Sequence, residues 1–245
     1  MRSSGLLVAD VSWPKVECAL ADGCIAALPI GAAAKEHGFH LPLNTDYLQA
    51  EWLARQLVEA VPVVVWPTLS YGYYPVFVDY PGSISLQRET FCSVVQDVLA
   101  GIARAGARSC AVLNTGISTI APLEGAIRRD YGRMAVALIN VYAGPRFTRV
   151  SEEIEEQPFG GHADEIETSL MLTMHPERVD MARATPAPAQ IRRGLFNRRD
   201  PQGPNFSPSG VNGDPTRATA EKGRRLAAAM REDVLEAIAA LRGAC

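Results

Sequence analysis

Lysine is nearly missing from this chain. Lys15, Lys35 and Lys222 stand against 21 arginines, a bias we read as genomic composition without functional content. Positive charge does not accumulate either: the formal net charge is −3 and the pI is near 5.9. That leaves no basic footprint for nucleic acid or an anionic membrane, so small molecules or other proteins are the expected partners. No run of eighteen apolar residues occurs, and no basic segment precedes an apolar one at the start, which predicts neither a membrane span nor a secretory leader. The five cysteines (Cys18, Cys24, Cys92, Cys110, Cys245) are odd in number, lack CxxC spacing and mostly sit in apolar runs. Thiols so placed act as small hydrophobes, and a reduced, cytoplasmic protein is expected.

Several chemistries are also excluded by what is missing. No GxGxxG or GxxxxGK(S/T) follows an apolar run, so nucleotides lack their phosphate cradle. No GxSxG elbow occurs, and no cysteine lies in a polar loop beside a helix start, which argues against a nucleophilic mechanism.

What is present is a 245-residue chain that is 47% hydrophobic, ample for a large buried core. With no internal repeat and no linker, residues 1–245 are expected to form one domain. Short continuous apolar runs at 24–30, 61–67, 108–114 and 134–142 read as strands buried on both faces. Between them lie helical periodicities: a short one at 13–20, one from Asp46 through Leu48, Trp52, Leu53 and Leu57, and others at 86–104 and 118–129. After an irregular acidic stretch ending at Gly160-Gly161, a helix follows His162, and a last one spans 216–241. Strands alternating with helices predict an α/β fold with a mostly parallel sheet. Residues 184–215, rich in Pro, Arg, Asn and Gly, read as a lid, an interface segment or a disordered excursion.

In a parallel sheet, ligands bind beyond the carboxyl ends of the strands. The segments 31–46, 67–83, 114–119 and 143–162 leave consecutive strands at that edge and should meet around one pocket. The first of them is chemically dense. Glu36, His37, His40 and Asp46 fall within eleven residues, a donor set suited to Zn²⁺, Mn²⁺ or Fe²⁺. The same residues would also serve as a solvated loop with Asp46 as a helix N-cap, and His162 as a cap after the glycine pair. Glu167 stands among apolar helix neighbours, where a lone carboxylate is costly unless paired or metal-bound.

Four ordered motifs give the chain its resemblance. They are Leu28-Pro-Ile-Gly with Glu36-His37-Gly38-x-His40-Leu-Pro-Leu-x-Thr-Asp46; Tyr71-Gly72 with Tyr80-Pro-Gly-Ser-Ile; His162-Ala-x-x-x-Glu167-Thr-Ser-Leu-Met-Leu; and Gly210-Val-Asn-Gly-Asp-Pro-Thr. The sequence resembles the creatininase (creatinine amidohydrolase) family nearly end to end. That resemblance implies a three-layer α/β/α sandwich, commonly hexameric, in which a pair of divalent metals hydrolyses C–N bonds of small cyclic or linear amides by activating water. By position it implies His37 and Asp46 as metal ligands, with Asp46 bridging, and His162 as the acid/base serving the leaving nitrogen. Glu36 is expected as a ligand and catalytic group. Tyr71, Tyr73, Tyr74, Asn114 and Ser118 are expected on the substrate, and His40 and Glu167 as further ligands or supports.

The chain departs from the family at two places. Lys35 stands two residues before the ligand histidine, where the family usually has glutamate. The third strand ends in Asn114-Thr-Gly-Ile-Ser, with Gly116 in place of a histidine and Ser118 near the place of a carboxylate. Creatinine itself is therefore not the expected substrate; ring-opening of a lactam or lactone, or deformylation, would use the same attack geometry. One or two ions are expected: the centre is either mononuclear, held by Glu36, His37 and Asp46 with His162 or Glu167, or rebuilt with His40 as a ligand. The alternatives are metal-free acid/base chemistry by Lys35, Glu36 and His162, and a degenerate homologue that binds a metabolite or partner without hydrolysis.

Overall fold

The computed structural model of the protein describes residues 5–191 and 194–243. Five strands, β1 Leu6–Leu7, β2 Ile25–Ile30, β3 Val63–Val65, β4 Ser109–Asn114 and β5 Ala135–Asn140, form one sheet in the order β1-β3-β2-β4-β5. Every pairing is parallel. β2 lies at the centre, with Ala27 beside Val65 on one flank and Ala111 on the other. The four apolar runs are thus the four main strands. β1 was not foreseen, because a two-residue strand along β3 leaves no periodicity to read.

Among the described residues seven α-helices connect and cover the sheet: α1 Trp13–Ala21, α2 Thr45–Ala60, α3 Arg88–Arg104, α4 Ile120–Ile127, α5 Pro145–Ile154, α6 Glu165–Met174 and α7 Ala220–Gly243. Side chains alternate across the sheet, and that alternation divides the interior into two cores. Ile25, Ala27, Val63, Val65, Ala111 and Leu113 face one side, where they meet Leu53 and Leu57 of α2, Phe147 of α5, Leu170 of α6 and Leu226 and Met230 of α7. Ala26, Leu28, Ile30, Val64, Cys110 and Val112 face the other, against Leu20 of α1, Phe91, Val95 and Leu99 of α3 and Leu123 of α4. The architecture is a three-layer α/β/α sandwich on a parallel sheet. Cys24 and Cys110 are buried within it, and burial pushes the Cys110 thiol up to about 12. Cys245 lies outside the described residues.

The stretch after β5 differs from expectation. In place of irregular chain, Pro145 opens α5, whose Phe147 and Ile154 are buried. The cap for this helix comes from far along the chain: the Asp233 carboxylate of α7 accepts the amides of Arg146 at 3.2 Å and Phe147 at 2.9 Å. A helix start satisfied by tertiary contact carries no local capping signature. Among the described residues no helix is long and apolar enough to cross a membrane.

Candidate metal centre

At the carboxyl end of β2 the chain leaves through Gly31. A side chain there would be impossible: a Cβ would lie 2.4 Å from the Asp46 carbonyl oxygen in the first turn of α2. This close approach returns the loop onto its own strand, with Tyr47 N donating to Ala32 O at 3.1 Å and Lys35 N to Leu43 O at 3.0 Å. Lys35, Glu36, His37 and Asp46 are thereby gathered and buried. Asp46 sits in the first helical turn, but its side chain turns inward and does not cap, so the helix-cap alternative fails.

His37 is the centre of the cluster. Its Nδ1 lies 2.9 Å from the Lys35 carbonyl oxygen, which can only accept, so Nδ1 carries a proton. Nε2 then faces two further acceptors, Asp46 Oδ1 at 3.0 Å and Glu167 Oε1 at 3.5 Å. A neutral imidazole with its lone pair aimed at two carboxylates is electrostatically untenable. The nitrogen needs either a second proton or a cation between it and the oxygens. The pKa of His37 reflects this: burial and the nearby Lys35 push it down, but Asp46 and Glu167 outweigh them and raise it to about 9. Burial alone would raise Asp46 and Glu167; the cations beside them hold both below their usual range. The second oxygen of Asp46, Oδ2, lies 2.7 Å from Lys35 Nζ.

His162 completes the row from the other side. Its Nε2 lies 3.1 Å from Glu36 Oε2 and 2.9 Å from the Glu36 carbonyl, and its Nδ1 is 3.7 Å from Glu167 Oε2. The ring packs 4.9 Å from His37 and 4.3 Å from Phe77, centre to centre. Glu167 is aimed by the start of α6, where Asp164, the N-cap, accepts the amides of Ile166 and Glu167, each at 3.0 Å. His37, His162 and Glu167 offer ligand atoms within 4.8 Å of one another. Glu36 is turned toward His162, with Gly38 N donating to its other oxygen. Gly210, at φ 87°, covers it so closely that a Cβ would lie 2.0 Å from its carboxyl carbon.

The cluster opens into a cavity of about 410 Å³ that draws on all four segments leaving the strands. Its walls are Lys35, Tyr74, Phe77, Thr115, Ser118, Tyr142, His162 and Glu167, with Ile191, Phe196 and Asn212 from the long segment after α6. Of the tyrosines expected on substrate, Tyr74 lines the cavity, Tyr73 packs beneath the sheet and Tyr71 is exposed. Asn114 is engaged in the β4 turn, bonding Gly116 O at 2.7 Å and Asn140 Oδ1 at 2.9 Å. His40 is buried and bonded to Thr168 Oγ1 at 2.8 Å, and burial, its main influence, pushes it down to about 4.

Phe77, Asn212 and Asp164 were not singled out from sequence. Asn212 pairs with His162 through both backbone amides and binds Ile191 N through its side chain. The Gly210-Val-Asn-Gly motif pointed at this segment without revealing its task. Residues 194–215 are tied to the cavity wall, with Phe196 N on Val76 O at 2.9 Å and Tyr80 Oη on Ser207 O at 2.6 Å.

Comparison with known proteins finds relatives in both sequence and fold. The family model Creatininase, described as creatinine amidohydrolase, matches residues 9–238. A creatinine amidohydrolase of Pseudomonas putida is 28% identical over 204 residues, 76% of this chain and 78% of that protein. A mycofactocin precursor peptide peptidase of Mycobacterium ulcerans (strain Agy99) is 30% identical over 247 residues, 93% and 86% of the two chains. A solved manganese creatininase superposes with a TM-score of 0.79 at 25% identity, covering 96% of this chain and 97% of its own.

Proposed function

This chain belongs to the creatininase family, and from that premise we propose that it is a metal-dependent hydrolase of a C–N bond in a small cyclic or linear amide. One observation carries the reading: His37 Nε2, its partner nitrogen already protonated, is aimed at the oxygens of Asp46 and Glu167. One imidazole and two carboxylates are a donor set that Zn²⁺, Mn²⁺ or Fe²⁺ accepts. His37, Asp46 and Glu167 would hold the ion, with Glu36 turned to a different task. When bound, such an ion lowers the pKa of a water and polarises a carbonyl.

The other steps belong to the chain. Glu36 accepts from His162 Nε2 and so fixes the ring and its tautomer. Nδ1 of His162 then faces the cluster and is the atom that takes a proton from water and passes it to the leaving nitrogen. Phe77 and Phe196 pack on the same ring and keep bulk water from it. The wall formed by Tyr74, Val76, Ile117, Phe147 and Ile166 suits an amide bearing an apolar substituent. That is compatible with either a small cyclic amide or a peptide; the two relatives are named for creatinine and for a mycofactocin precursor peptide. We also take the chain to act as a homo-oligomer, a hexamer by its family, which light scattering would test against six times 26.4 kDa.

Chelation followed by reconstitution tests the reading. Hydrolysis of lactams and short peptides should vanish on stripping and return with Zn²⁺ or Mn²⁺. Activity that survives chelation yet is lost in His162→Ala would replace this mechanism with metal-free acid/base catalysis. A fully metallated protein that hydrolyses nothing would be a binding module.

A further inference from the structure

The two oxygens of Asp46 face different cations. Oδ1 is directed to His37 and the ion site, and Oδ2 to Lys35 Nζ at 2.7 Å, with both side chains buried. The Lys35 backbone is fixed, its amide bonded to Leu43 O and its carbonyl accepting His37 Nδ1. Its ammonium lies beside two rings, with the centres of Phe77 and Tyr74 5.2 and 5.7 Å from Nζ. Aromatic faces at that range favour a cation.

Among the described residues, the candidate ligand cluster is His37, His162 and Glu167, and none gathers on the side of Asp46 occupied by Lys35. Beyond it lies the end of β4, where Gly116 has no side chain, and a Cβ there would lie 2.8 Å from Thr119 Oγ1 and 3.4 Å from Tyr74 Cε1. Asn114 is consumed in its turn, and the Thr115 hydroxyl bonds the carbonyls of Ile30 and Asp46 at 3.0 and 3.2 Å. Charge leads to the same conclusion. Glu36, Asp46 and Glu167 supply three negative charges, Lys35 returns one, and the remaining two match a single divalent ion when both histidines are neutral.

We propose that Lys35 takes the place of a second metal ion, so that the chain binds one divalent cation beside a built-in ammonium that faces the substrate cavity. This rests on the metal-dependent reading above and specifies its stoichiometry. In that position the ammonium supplies fixed positive charge at the carbonyl oxygen, the part a second ion would play.

Native mass spectrometry of chelator-stripped protein titrated with Zn²⁺ or Mn²⁺ tests it. Saturation at one ion per chain is expected. Two ions of comparable affinity would overturn this proposal and leave the metal-dependent reading standing, whereas no bound ion would overturn both. Lys35→Met, checked for folding by circular dichroism, should bind its ion about tenfold more tightly or better, because a like charge has been removed. Unchanged affinity in a folded variant would show that the ammonium does not face the ion site and would overturn the assignment.

Discussion

His37 decides the chemistry at the scale of single residues. Replacing it with alanine, or Asp46 with asparagine, should abolish high-affinity binding of a divalent ion, read by titration calorimetry, and hydrolysis should fall by at least about a thousandfold. The pH dependence follows from the same contacts. The folded pKa of His37 is raised to about 9 from 6.5, so its contribution to the stability of ion-stripped protein is full below about pH 6.5 and is lost as pH rises through about 9. Asp46 and Glu167 are depressed, so theirs is present above the usual carboxylate range and is lost on acidification. The stripped protein should therefore melt at its highest temperature in mildly acidic buffer and progressively lower toward pH 9. An ion competes with the Nε2 proton, so apparent metal affinity should rise about tenfold per pH unit and level off near pH 9. A pH-independent affinity would remove His37 from the ligand set. Gly210→Ala tests Glu36: with φ at 87° and no room above the carboxyl, the variant should lose most activity while still binding its ion through His37, Asp46 and Glu167. At this scale the sequence pointed to the place: Glu36, His37, His40 and Asp46 crowd eleven residues of one loop, and Glu167 is a lone carboxylate among apolar helix neighbours. The partner that Glu36 selects was not legible, since a carboxylate's direction depends on a loop closed by Gly210 far along the chain.

Among the elements, α6 does the most positioning. Its N-cap Asp164 holds the helix start and also accepts Gly161 N at 2.7 Å, so one side chain fixes both the glycine turn and Glu167. Asp164→Ala should cost about 1–2 kcal/mol in denaturant unfolding, the range for a lost cap, and should weaken metal binding as well. A stability loss without an affinity change would separate the cap from the site. The strands were readable because burial on both faces leaves continuous apolar runs, and β2 and β4 are buried at every position. α5 was not readable, although Phe147, Val150 and Ile154 carry a helical spacing, because Asp233 on α7 supplies its start. The extent of β1 was likewise set by pairing and not by propensity.

At the scale of the whole molecule, parallel strands send their loops to one edge, and that rule alone brought Lys35, Tyr74, Ser118 and His162 to a common cavity. What strand order could not show is that residues after α6 return to close it. Phe196 contacts both Phe77 and the His162 ring, so Phe196→Ala should raise KM and lower kcat together without changing ion stoichiometry. Anomalous diffraction at the zinc edge, from crystals of the protein loaded with Zn²⁺, tests the metal centre most directly. One peak is expected, with His37 Nε2 and oxygens of Asp46 and Glu167 about 2.0–2.2 Å from it. A peak elsewhere, or one from which His37 and Asp46 turn away, would contradict that ligand set.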